Sequence, residues 1–152
     1  METKNTTQTE TKIKYFTLEE MYKSQTASKL HINNTPDTET TLHLIELMKF
    51  LDPIREKWGS AIRVTSGYRC DRLNRIVKGS VNSAHKYGWA VDLVPKKGTV
   101  EELFSFIAQY LILSKLKWDQ LIIERSKTGS WVHLGLKNKD GKQRGQVFTL
   151  NV

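Results

Sequence analysis

A single cysteine, Cys70, stands among 152 residues. That excludes a disulfide scaffold and any metal site built from several thiolates. Long apolar runs are missing as well: none approaches the roughly 20 residues that a membrane-spanning helix needs, so no membrane insertion is expected. The opening segment METKNTTQTETKIKYF has no apolar stretch ahead of a small-residue cleavage site, so no secretory signal is expected either. Internal repeats are absent. Acidic residues run short, 16 against 24 Lys and Arg, for a net charge of +8. Such an excess suits polyanionic partners (nucleic acid, acidic lipid or an anionic cell wall), and equally suits a surface that only keeps the chain soluble.

What is present is an ordinary folded composition, 38% hydrophobic and 26% charged, long enough for one domain that buries roughly 70% of its unfolded surface. Residues 1–13 are dominated by Thr, Glu, Lys, Gln and Asn, and Glu2, Lys4, Glu10 and Lys12 cancel. They read as a disordered tail, leaving residues 14–152 to carry the whole charge excess. Thr17 and Glu20 have capping-box spacing and predict a short helix through about Ser24. Thr35-Pro36-Asp37 starts a longer helix whose apolar stripe runs from Leu42 to Trp58 and stops at Gly59, with Pro53 expected to kink or split it. A strand is predicted at Ala61–Thr65, a helical stripe over Leu73, Ile76 and Val77, and a mostly apolar strand at Trp89–Val94. Thr99 and Glu102 open a further helix with Leu103, Phe106, Ile107 and Tyr110 on its buried face. Asp119–Glu124 and Trp131–Leu136 read as strands of a hairpin closed by SKTGS, and a terminal strand is predicted around Val147–Leu150. Helices early and tightly connected strands late give an α+β class, N-terminal helices packed on a small antiparallel sheet.

Two strands carry polar residues where apolar ones belong. Asp92 interrupts Trp89-Ala90-Val91-Asp92-Leu93, and His133 interrupts Trp131-Val132-His133-Leu134. A buried acid or imidazole is costly unless paired or bound to metal. With His85, seven residues before Asp92, these make two imidazoles and one carboxylate, the usual three-ligand set of a catalytic zinc. Hydrogen-bonded structural roles for the same residues are the competing reading. His31 and His43 have no acidic or His partner at ligand spacing and are taken as ordinary. Cys70 reads as a small packed thiol, Trp58 and Trp118 as core anchors, and Trp89 and Trp131 as flanking the ligands. The basic run Lys137–Arg144 reads as a solvated hairpin.

Ser83-x-His85-x6-Asp92 followed by Trp131-Val132-His133 resembles the zinc D-Ala-D-Ala carboxypeptidase family. These peptidoglycan peptidases share a fold with lysostaphin-type endopeptidases and the hedgehog signalling domain. The runs Tyr15–Glu20, Leu51–Arg55, Arg63–Arg69 and Trp118–Glu124 extend the likeness in order from Tyr15 to Leu136. The resemblance implies one Zn2+ held by His85, Asp92 and His133. It also implies a nearby carboxylate as general base. In many members that acid stands three residues before the last ligand, where this chain has Ser130. Glu124 resembles the hedgehog-type placement instead, and Asp119 is the second candidate. Arg69 would face the scissile bond or a substrate carboxylate. Ser83 would hydrogen-bond substrate or its own loop, and Trp131 would line the cleft.

The function so implied is zinc-dependent hydrolysis of an amide in a peptidoglycan stem peptide or cross-bridge, as a D,D-carboxypeptidase or an endopeptidase. The missing signal suits a monomeric phage or prophage endolysin that stays in the host cytoplasm until it is released to the wall. The alternative is a non-catalytic zinc module of the same fold, with Ser130 as its support. A nucleic-acid binder would rest on charge alone and is not expected.

Overall fold

A computed structural model describes residues 12–152; the expected tail lies almost wholly outside them. Ile13 is partly buried against the core, and the backbone amides of Lys14 and Tyr15 donate to the Asp52 carboxylate at 2.8 and 2.9 Å. The domain is thereby tied down from its first described turn.

Four helices follow: α1 (Gln25–Lys29), α2 (Thr38–Trp58), α3 (Asp71–Ile76) and α4 (Val100–Leu113). The Thr17 hydroxyl accepts from the Glu20 amide at 3.3 Å as its spacing predicts, but it opens only a short 3-10 turn, Glu19–Met21. The chain then restarts as α1, capped by Ser24. Asp37, two residues beyond the expected Thr35, caps α2 by accepting from the Thr40 amide at 2.8 Å. Gly59, at φ 85°, closes that helix. Pro53 neither splits nor ends α2; it lies on the exposed face, where water can satisfy the carbonyl it leaves free. In α3 only Leu73 of the expected apolar stripe is buried, with Ile76 and Val77 about 40% exposed.

Five strands form one sheet: β1 (Ile62–Ser66), β2 (Ala90–Pro95), β3 (Gln120–Ser126), β4 (Gly129–Gly135) and β5 (Gln146–Asn151), in the order β1-β2-β4-β3-β5. β1, β2, β4 and β3 pair antiparallel, with β3 and β4 closed as the expected hairpin. The fully antiparallel expectation fails at the edge, because β5 runs parallel to β3. After β4 the chain crosses back past the start of β3, where Arg144 meets the buried Asp119. The Gln146 amide then donates to the Asp119 carbonyl at 2.9 Å. The stretch Lys137–Arg144 is the expected exposed turn, closed by the Asn138 amide on the Lys142 carbonyl at 2.9 Å, and its end is anchored on Asp119 by Arg144.

The sheet has two unlike faces. Val91, Leu93, Leu121, Val132 and Leu134 pack in the core with Leu44, Leu47 and Leu51 of α2 and Leu103, Ile107 and Leu111 of α4. Strand alternation sends Asp92, His133 and Glu124 to the other face. Trp89, expected to flank the cleft, is instead 6% exposed in the core, with His43 stacked on its ring at 4.0 Å. His43 is thus the structural residue its surroundings suggest.

Candidate metal centre

His85 sits in a 3-10 turn, Ala84–Tyr87, capped by Ser83 and closed by Gly88 at φ 74°. Two bonds from the loop after β1 hold it: its Nδ1 donates to the Gly67 carbonyl at 2.8 Å, and its own carbonyl accepts from the Arg69 amide at 3.1 Å. The first bond fixes the tautomer and leaves the Nε2 lone pair facing Asp92, as a metal-ligating histidine requires. Gly67 has no substitute here, because a Cβ would collide with the Met21 carbonyl oxygen.

Asp92 and His133 face each other across β2 and β4. Asp92 Oδ1 lies 3.3 Å from His85 Nε2 and 3.1 Å from His133 Nδ1. All three residues are buried, and their donor atoms lie within 4.8 Å of one another. Tetrahedral bonds near 2.1 Å place neighbouring donors about 3.4 Å apart, so this set fits a single small cation. Burial opposes ionisation of Asp92, but the two imidazoles outweigh it and hold the carboxyl well below the usual range. Burial pushes His85 downward, against Asp92. A neutral imidazole beside an ionised carboxylate is the protonation state that metal binding needs.

Around this triad the structure gathers most of the other expected residues. Glu124 pairs with Trp131 across the hairpin, and its Oε1 comes to 3.9 Å from His133 Nδ1. Burial first, and then the charge of Asp92, raise its carboxyl above the ordinary glutamate value, against the pull of His133, Trp131 and Arg69. The Trp131 indole N–H stands near enough to favour the ionised form but makes no well-formed hydrogen bond. Arg69 is largely buried, its guanidinium lowered by burial and supported by Asp92 and Glu124. It donates to Ser83 Oγ at 3.4 Å and keeps an unpartnered Nε. Ser83 also accepts from the His85 amide at 3.2 Å, which ties it to its own loop.

One profile matches residues 14–134, that of Peptidase M15. The chain belongs to the Peptidase M15 family. The match spans every residue of the site and ends before β5. No curated protein sequence matches the chain at a significant level. As an M15 peptidase the protein is a metal-dependent hydrolase, and the His85, Asp92 and His133 cluster is the group among the described residues that could hold a metal ion.

The second candidate base does not come to this M15 centre. Asp119 is 1% exposed and precedes β3 at the end away from Glu124. Arg144 occupies it through Nε at 2.7 Å, a second guanidinium nitrogen at 2.8 Å and the backbone amide at 3.1 Å. Ser130 pairs with Arg125 at the hairpin end, whereas the Glu124–Trp131 pair lies on the metal face. Cys70 packs against Ala27, Ile32 and Leu73 and is no part of the cluster.

Two supports were not legible beforehand. Gly67 acts through its carbonyl. Asn34, 6% exposed, donates to the Tyr22 and Tyr68 carbonyls at 2.8 and 2.9 Å and accepts from the Cys70 amide at 2.8 Å. It therefore clamps the loop on both sides of Arg69. Its only sequence signal is an asparagine beside a proline-bearing loop.

Proposed function

We propose that the protein is a zinc-dependent peptidoglycan peptidase that hydrolyses an amide of the stem peptide or cross-bridge, in the manner of a phage or prophage lysin. The reading is carried by Glu124, a carboxylate of raised proton affinity on the metal face beside His133 and Arg69. Zinc held by His85 Nε2, Asp92 and His133 Nδ1 would supply a Lewis acid for the scissile carbonyl and for water. Glu124 takes a proton from the attacking water and delivers it to the departing nitrogen. Water adds its oxygen to the carbonyl carbon, the C–N bond breaks, and a carboxylate and an amine leave. Arg69, fixed by Ser83 and by the Asn34 clamp, meets the charge that develops on the carbonyl oxygen, where a preorganised donor has most effect.

Purified peptidoglycan incubated with zinc-loaded protein, with and without chelator, tests this. New amines and discrete fragment masses that vanish with chelator and with Glu124→Gln are expected, and the masses name the bond. No release from walls of several chemotypes, by protein shown to hold one zinc, overturns the peptidase. It would favour the binding module to which Ser130 points.

A further inference from the structure

Beside the metal face, the outer edge of β1 borders a groove of about 1050 Å³ that runs between this strand and the Glu20–Thr26 segment. None of the metal-face carboxylates or imidazoles lines it; Arg69 and the loop glycine Gly67 are the residues it shares with the site. The remaining charged lining is Lys23, Arg55, Arg63 and Lys96 against Glu20 alone. Lys23, Arg63 and Lys96 are exposed and hold no ion pair among the described residues. Arg55 is stacked on Tyr15, 4.2 Å from the ring centroid.

The backbone along this groove is free as well. β1 is an edge strand, and the Lys96 amide donates to the Ala61 carbonyl at 2.9 Å. Strand alternation then directs Ala61 and Arg63 towards β2, and the N–H and C=O groups of Ile62 and Val64 outward. Pro95 lies opposite Ile62, a position where its missing N–H removes no bond to β1. An open strand edge is a template for another extended chain. At the far end the edge is closed, since the Tyr68 amide donates to the Met21 carbonyl at 2.6 Å.

We propose that this groove docks the carboxylate-bearing part of the peptide substrate, remote from the bond that is cut. The peptide lies extended along β1, with main-chain hydrogen bonds to Ile62 and Val64. Its carboxylates meet Lys23, Arg63 and Lys96, and Arg69 stands where the groove joins the catalytic face. The inference rests on the peptidase reading and adds the substrate class, an acidic extended peptide. It also gives part of the chain's excess positive charge a location.

The test uses zinc-loaded full-length protein and two probes, a wall stem tetrapeptide with free carboxylates and the same peptide with those carboxylates amidated. Amide resonances of Ile62 and Val64 should shift with the first probe and far less with the second. Affinity should fall about fivefold in Arg63→Gln, the upper range for one exposed charge pair, and further in Arg63→Glu. Lys142→Glu, the same charge change away from the groove, should leave affinity intact, and unchanged melting temperatures keep the variants comparable. Equal binding of the two probes, or equal loss in Lys142→Glu, overturns the proposal. Wall hydrolysis with unmoved β1 amides overturns the groove and leaves the peptidase standing. Moved β1 amides in a protein that cleaves nothing do the reverse.

Discussion

Two acids, Asp119 just before β3 and Glu124 within it, live under contrasting rules. Asp119 is buried and receives three hydrogen bonds from Arg144, so every demand of its charge is met. Glu124, five residues further along the strand and about 17 Å away at the rise of an extended chain, has near neighbours but no bond of comparable quality. Burial and the charge of Asp92 raise its proton affinity. A satisfied buried carboxylate holds structure together, because the hydrogen bonds it accepts act as one network. A crowded and incompletely satisfied one is free to exchange a proton.

Replacing each acid should separate these roles. Glu124→Gln is expected to lower kcat/KM by about 10³-fold, within the range for loss of a general base, with metal content retained and no loss of melting temperature. Its proton affinity also predicts an acid limb in the wild-type kcat/KM profile. The basic form is lost as pH falls, and burial beside Asp92 raises that point in the metal-free protein. An acid limb that persists unchanged in Glu124→Gln would contradict the assignment. Asp119→Asn should do the opposite. Stability should fall by about 2 kcal/mol through the lost charged hydrogen bonds, seen as a shift of the denaturation midpoint, with turnover per folded molecule unchanged. Asn34→Ala is expected to lower kcat/KM on the order of tenfold by loosening the Arg69 loop, with metal stoichiometry intact.

The smallest effect concerns pH and the metal-free protein. A carboxyl raised in the fold contributes stability only below its unfolded value and loses it as pH rises through the folded one. Glu124→Gln should therefore slightly raise the melting temperature near neutral pH, an advantage that fades in acid. Asp92, held low, acts in the other direction: its contribution is present above its unfolded value and disappears as pH falls. Equal pH dependence of wild type and Glu124→Gln in thermal melts would remove this contrast.

How far the sequence foretold this depends on where each residue acts. Asp92 and His133 were conspicuous because each breaks an apolar strand, and His85 because it precedes Asp92 in a glycine-closed loop. Their convergence then follows from the β2–β4 register. Glu124 needed the family likeness, since an acid at a strand end is commonplace. Gly67 and Asn34 were silent because they act through backbone carbonyls and amides of residues far along the chain, and no local pattern records that. Strand periodicity likewise carries no direction, so the parallel pairing of β5 depended on the crossover pinned by Arg144 and Asp119. Pro53 was over-read: an exposed carbonyl can lose its partner to water without ending the helix.

The close approach of Gly67 to Met21 has a consequence of its own. The Met21 carbonyl accepts from the Tyr68 amide, and the neighbouring Gly67 carbonyl accepts from His85 Nδ1. The N-terminal arm and the first ligand are thus two ends of one short relay. Energetic coupling between two such ends is reciprocal: whatever tightens the ligand must also tighten the arm. Cation occupancy should therefore slow hydrogen exchange at the Tyr68 amide, and a chain clipped within Phe16–Met21 should bind its cation more weakly by the same factor.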